Sequence, residues 1–270
     1  MSSPSTEYSF AAQADKLIDR GDRFFKNSDY PAALQSYQQA LNVHPQSPFS
    51  ILARAALLAR LHQPQPAALY CEKHLELFPR DPEGWKLKSQ LAIAEGKNQE
   101  ALMAIERARQ LSPDDVEMLI FQGYLLADIF QEYQRALPFY DAALQLQPRN
   151  PAIWTKKGRA LHNLDQFKKA ISCYNKALRL ERGNPDTWKD KGDCLNCLAL
   201  SRKALACYEK AIRLQPDRAD FHHIAALTYD DLGEKEKSQL CYRKVIEHGT
   251  PDDLEMVNEA RIALDAPEKK

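Results

Sequence analysis

The chain has 270 residues with 37 basic and 37 acidic side chains, so its formal net charge is zero. That removes the overall basic field that draws in nucleic-acid phosphates and leaves no polybasic segment for an anionic membrane, while nine glycines are too few for Gly-rich phosphate loops or a sandwich of tight turns. No stretch approaches the roughly 18 consecutive apolar residues of a spanning helix, MSSPSTEYSF lacks the pattern of a secretory signal, and six scattered cysteines suit reduced thiols; the expectation is a cytoplasmic protein.

In chain order, residues 1–13 form a Ser-containing lead-in that is expected to be flexible. From Ala14 onward the sequence repeats with a period of 34 residues. Taking Ala14 as position 1, position 20 is Ala33, Ala67, Ala101, Ala136, Ala170, Ala204 and Ser238, and position 24 is Tyr37, Cys71, Ile105, Tyr140, Tyr174, Tyr208 and Tyr242. The repeats cover about 14–47, 48–81, 82–115, 116–150, 151–184, 185–218 and 219–252, the fourth holding one extra residue near Phe130.

Each repeat reads as two helices, at positions 1–14 and 18–31. Ser47, Asp81, Asp115, Asn150 and Asn184 precede new repeats and can accept orphan helix N–H groups. Pro48, Pro82, Pro151 and Pro185 follow four of them, where the missing N–H costs nothing. Proline at position 32 ends the second helix, and no run alternates with period two, so no sheet is expected. Position 8 is small throughout (Gly21, Ala55, Ser89, Gly123, Gly158, Gly192, Ala226), which with position 20 lets paired helices approach closely. The second repeat departs most: His74 stands where alanine is expected, and Pro64 and Pro66 crowd its turn. Leu254, Val257, Ala260 and Leu264 form the inward stripe of a capping helix at 253–265, opened by Thr250 and Pro251, before a frayed tail at 266–270.

No catalytic motif is present: there is no G-x-S-x-G, H-E-x-x-H, Walker lysine loop or G-x-G-x-x-G. His222 and His223 are adjacent and point about 100° apart on a helix, so they do not form a metal pair. Cys194 and Cys197 form a C-x-x-C, but Cys194 falls at position 10, a packing position, which leaves Cys197 at position 13 as the one thiol expected to be available for function. Neither a cofactor nor a metal is expected.

WKDKGDCL, ALACY and AIRLQP in the sixth repeat, and WTKKGRAL with AISCY in the fifth, resemble the tetratricopeptide repeat family. The resemblance implies an all-α, right-handed superhelical solenoid of antiparallel helix pairs. In that family the first helices line a concave groove, with ligand contacts from positions 2, 5, 6, 9, 12 and 13. Carried onto this chain, those positions give an apolar group in repeats 2–4 (Phe49, Leu52, Ala53, Ala56, Ala59, Leu87, Ile120, Phe121, Tyr124), relieved by Arg60, Lys86 and Gln90. Repeats 5–7 give a polar group that includes Thr155, Lys156, Arg159, Lys189 and Asn196. The family's chaperone adaptors hold a C-terminal carboxylate with a Lys/Asn/Arg clamp; the matching places in repeats 1–3 hold Ile18, Asp22, Ala53, Glu83 and Leu87, which argues against that role. The expected function is a non-catalytic interaction module, an adaptor or assembly factor taking a peptide or helix of another protein in the groove. A self-associating scaffold and a thiol- or metal-dependent regulator are the alternatives. No nucleic-acid or membrane-inserting partner is expected.

Overall fold

The computed structural model describes residues 4–265, and among them every regular element is helical. The chain divides into two compact units, Met1–Leu125 and Leu126–Lys270. In the first, α1 (Pro4–Lys26) pairs with α2 (Tyr30–Val43), α3 (Pro48–Arg60) with α4 (Pro64–Leu77), and α5 (Pro82–Ala94) with α6 (Asn98–Leu111). Each pair packs on the next, and α7 (Val116–Tyr124) lies on α6. In the second, α8 (Tyr133–Leu146) lies on α9 (Pro151–Asn163), which pairs with α10 (Phe167–Leu180). Then α11 (Pro185–Cys197) pairs with α12 (Ser201–Leu214), α13 (Ala219–Asp231) with α14 (Lys235–His248), and α15 (Leu254–Asp265) packs on the last pair.

The helix starts follow the side chains read from the sequence. Asp115 accepts the Met118 N–H at 3.0 Å and Asn184 the Thr187 N–H at 3.0 Å. Asp81, Asn150 and Ser47 do the same for α5, α9 and α3. The first helix of a repeat ends in a Schellman closure. Leu200 N–H reaches Leu195 C=O at 2.9 Å and Ala199 N–H reaches Asn196 C=O at 2.8 Å, and the same pair of bonds recurs after α1, α3, α5, α9 and α13. The closing residue is left-handed each time, yet only Gly96 and Gly233 are glycine; Ser28, His62, Asp165 and Ala199 take the same conformation at φ of 56–61°. With so few glycines there, this turn leaves little trace in the sequence.

Three features depart from the sequence reading. The lead-in at 1–13 is not a flexible segment throughout: α1 begins at Pro4, so residues 4–13 are helical. Proline suits a first turn, and Ala11, Ala12 and Gln13 are good helix formers. Residues 1–3 and the tail at 266–270 lie outside the described residues. The extra residue of the fourth repeat is taken up by a π-helical stretch, Leu125–Ile129, the usual way for a helix to hold one residue too many. In the capping helix Val257 and Ala260 are buried and Leu264 half-buried, but Leu254 is 60% exposed. A 3₁₀ turn at Pro251–Asp253 precedes it, and Leu254 stands at the rim of the stripe.

Packing explains the small residues. Every position-20 side chain is at most 1% exposed, and in the third repeat Ser89 Oγ donates to the Ala101 carbonyl at 2.6 Å, so positions 8 and 20 touch. Position 8 also lies under the position-24 ring. A Cβ on Gly21 would stand 2.5 Å from Tyr37, a Cβ on Gly158 2.5 Å from Tyr174, and Gly192 is as closely covered by Tyr208. The second repeat solves its irregularity with its neighbour. His74 is fully buried, a Cβ on Gly84 would meet its ring at 2.7 Å, and its Nε2 lies 2.5 Å from Asp81. These contacts fasten α4 to the start of α5, and α4 opens at Pro64, before Pro66.

Position 4 ties successive repeats together. Trp85, Trp154 and Trp188 donate their indole N–H to the carbonyls of Pro79, Pro148 and Arg182 at 2.9–3.0 Å. His222 stands in the same place and reaches Pro216 O with Nε2 at 2.8 Å. Burial lowers its pKa below the usual 6.5, against the pull of that hydrogen bond.

Three outcomes are expected in urea unfolding followed by circular dichroism. Gly158→Ala should lose about 1–3 kcal/mol to overpacking against Tyr174, more than the ~1 kcal/mol that alanine gains in a helix; a stabilised variant would refute the tight contact. Ala199→Gly should gain about 0.5–1 kcal/mol by removing a left-handed alanine, and an unchanged midpoint would refute that. A depressed histidine pKa means that the unfolded chain binds the proton more readily. The His222 contribution is therefore complete above about pH 6.5 and is lost as pH falls through its lower folded value. His222→Trp should flatten the decline in stability between about pH 7 and 5; an equally steep decline would sink this assignment.

Candidate protein-interaction surfaces

A concavity of the first compact unit follows from a run of short side chains. In α3, Ala53, Ala56 and Ala59 recur at three-residue spacing and share a face. Where longer residues would fill the space, these leave a cavity of about 690 Å³. Its other walls are Leu87 and Gln90 of α5 and Asp22 and Phe25 of α1.

Two polar groups border this apolar surface. Asp22 accepts the Tyr37 hydroxyl at 2.7 Å. Burial and this carboxylate both push the Tyr37 pKa well above the tyrosine range, so the phenol stays a donor. The Arg60 guanidinium lies 5.2 Å from the Phe25 ring centre and 5.9 Å from that of Tyr30, a cation–π arrangement that holds a positive charge at the mouth. The cavity thus offers an apolar floor with one carboxylate and one guanidinium on its rim.

Of the residues named from sequence, Ala53, Ala56, Ala59, Arg60, Leu87 and Gln90 line this cavity. Leu52 is half-buried and packs on the core formed by α3, α4 and α5. Phe49 is 70% exposed at the start of α3. Lys86 sits 3.0 Å from Glu83 and 2.8 Å from Glu117. Burial opposes its charge, but the two carboxylates outweigh burial and hold its pKa above the usual lysine range. On α7, Ile120 is half-buried, and the Phe121 and Tyr124 rings stack with centres 6.2 Å apart. Asp22, Phe25 and His62 also line the cavity and were not among the groove residues named. Asp22 and Phe25 occupy positions 9 and 12 of the first repeat, so extending the positional rule by one repeat finds them.

The polar residues of the second compact unit are arranged differently. Thr155 Oγ1 lies 3.1 Å from Thr187 Oγ1. Arg159 Nε donates to Asp190 at 2.6 Å, and Lys189 lies 2.8 Å from Asp193, which also accepts the Tyr208 hydroxyl. Burial raises the Asp190 pKa despite the adjacent guanidinium. Asn196 accepts the Ser201 hydroxyl at 3.2 Å, and Lys156 is half-buried. The Thr155–Thr187 and Arg159–Asp190 contacts join α9 to α11, so much of this polar face is bonded to itself.

The thiols are mostly shielded. Cys194 is fully buried, with His162 Nδ1 3.1 Å from its sulfur, and burial pushes its pKa up to about 12. Burial likewise pushes Cys71 and Cys241 up to about 11 and raises Cys173 and Cys207. Cys197 is exposed, so the C-x-x-C holds one surface thiol and one core thiol. Among the described residues no group of three His, Cys, Asp or Glu side chains is placed to hold a metal ion, and no helix is long and apolar enough to cross a membrane.

Comparison with known proteins agrees with this architecture. Models of the tetratricopeptide repeat match residues 18–82 and 87–151, 130–195, and 219–247. Among curated proteins, the chain is 27% identical over 155 residues to Protein O-mannosyl-transferase TMTC1 of Homo sapiens, covering 56% of this chain and 18% of that protein. It is 26% identical over 105 residues to Hsp70-Hsp90 organizing protein 2 of Arabidopsis thaliana, covering 39% and 18%. It is 30% identical over 106 residues to Stress-induced-phosphoprotein 1 of Caenorhabditis elegans, covering 39% and 32%. The matches thus span only 18–32% of these relatives' lengths. Among solved structures, Pseudomonas aeruginosa pilF is similar with a TM-score of 0.70 at 16% identity, over 81% of this chain and 99% of that one. A tetratricopeptide repeat protein from Parabacteroides merdae gives 0.69 at 16% identity, over 93% and 99%. YrrB, described as having an unusual peptide-binding site, gives 0.59 at 20% identity, over 70% and 96%. With family models matching along most of its length and its helices paired repeat by repeat, the chain belongs to the tetratricopeptide repeat family, whose members are protein-interaction modules.

Proposed function

We propose that the protein is a non-catalytic cytoplasmic adaptor whose first compact unit captures a segment of another protein, seating an apolar side chain in the cavity beside Ala56. The observation that carries this reading is the cavity itself: about 690 Å³ of space beside alanine faces and leucines, with Asp22 and Arg60 to orient what enters. That volume lies within the range of specific ligand pockets. The helices that frame it are held by capped ends and tight inter-helix contacts, so binding requires little ordering of the protein.

A carboxylate-clamp role, suggested by likeness to organizing proteins, has weak support here. Asp22 places a negative charge where such a clamp needs a neutral donor, Leu87 is buried, and Lys86 is already shared by two glutamates. The thiol-dependent alternative is disfavoured by five thiols whose pKa values burial raises.

Ala56 is exposed within the cavity wall, so Ala56→Arg should fill the space while leaving the fold intact. Partners retained from native lysate by the wild-type protein should be lost by this variant, at unchanged helicity. A partner set identical for both proteins would sink the proposal. Light scattering over a concentration series should show constant mass; growing mass that Ala56→Arg abolishes would favour self-association instead.

A further inference from the structure

We propose a second binding site, for a short phosphorylated segment of a partner protein, on the surface formed by α10, α11 and α12. The neutral total of the chain hides a local imbalance: residues 151–218 carry 15 Lys and Arg against 7 Asp and Glu. Several of those acids are already engaged. Asp190 pairs with Arg159, Asp193 with Lys189, and Asp186 lies 3.4 Å from Arg218.

The excess cations are in register. Lys168, Lys169, Lys176 and Arg179 of α10 occupy the same repeat positions as Arg202, Lys203, Lys210 and Arg213 of α12, and all eight are exposed. On each helix the residues seven and ten apart share a face, so the two helices present matching basic rows.

One cation from each row, Arg179 and Lys210, lines a concavity of about 660 Å³ together with Asn175, Leu178, Arg182, Trp188 and Lys191, and no carboxylate stands in its wall. Among the described residues, none of these four cations has a carboxylate partner within 4 Å. Arg179 Nε instead donates to the Asn175 carbonyl at 3.3 Å, and the Lys191 ammonium lies 5.2 Å from the Trp188 ring centre. An ordinary solvated face alternates its charges; this one gathers four cations around a hollow.

The chemistry favours a phosphate monoester. It carries a charge of about −1.5 to −2 and three strong acceptor oxygens. Guanidinium groups match such oxygens in pairs, while lysines act as point charges. Two observations argue for a short peptide over a nucleic-acid strand. Trp188 donates its indole N–H to Arg182 O at 3.0 Å and has Lys191 over its ring, so it forms a wall rather than a platform for a base. The patch is also bounded, because residues 219–265 hold 11 acidic side chains against 5 basic ones. A long polyanion following the stack would meet that acidic segment.

The test is fluorescence polarisation with a pool of 11-residue peptides carrying central phosphoserine and random flanks, beside the same pool unphosphorylated. A 12-nucleotide single-stranded RNA and phosphatidylserine vesicles are measured in parallel. The phosphorylated pool should bind at least about tenfold more tightly than its counterpart and weaken as salt is raised. Arg179→Glu combined with Lys210→Glu should remove that preference at unchanged helicity, since both residues are exposed. Ala56→Arg should leave it intact, which separates this site from the cavity of the first compact unit. Equal binding of the two pools, a preference that survives the double variant, or tighter binding of RNA or vesicles would each overturn the proposal.

Discussion

A tyrosine ring lying on a helix that lacks a side chain is the contact on which the rest depends. Gly21, Gly158 and Gly192 each face such a ring at a distance that a single Cβ would violate. The contact sets how closely the two helices of a repeat approach, and the buried alanine at position 20 completes it from the partner helix. Where the family pattern lapses, the same constraint is met by other means. His74 takes the place of alanine because Gly84 of the following helix gives its ring room. His222 takes the place of tryptophan because its Nε2 reaches the same kind of carbonyl as the indoles do.

The tyrosines do more than space the helices. Their hydroxyls emerge beside the first helices, where Tyr37 meets Asp22 and Tyr208 meets Asp193. The same element of packing leads to different surfaces according to what surrounds it. Beside Asp22 the neighbouring helix has alanines, and a cavity opens. Beside Asp193 lies Lys189, and Arg159 and Asp190 join neighbouring first helices nearby, so the charges are consumed within the protein. A peptide entering the first setting displaces solvent from apolar walls. In the second it would have to compete with ion pairs already formed.

That internal pairing also shapes the other face. Acids of the sixth repeat are drawn into contacts with Arg159, Lys189 and Arg218, while the lysines and arginines of α10 and α12 are left in rows. A neutral total is therefore a poor guide to local potential. Screening acts over about 8–10 Å at ordinary ionic strength, so what matters to a ligand is the charge within roughly that distance.

By itself the sequence determined the repeat, the helix pairs and their starts. A 34-residue period, capping side chains at Ser47, Asp81, Asp115, Asn150 and Asn184, and proline beside them act through local backbone chemistry that needs no tertiary context. It also named groove residues, through the contact positions that the family resemblance implies once the repeat register is known. It did not reveal the left-handed closures at His62 or Ala199, because these residues are not glycine and the conformation is imposed by the Schellman bonds. Nor did it separate Ala56, which borders open space, from Arg159, which is held by Asp190. Only the tertiary structure decided that, because whether an inner-facing group is available depends on the length and charge of side chains one repeat away.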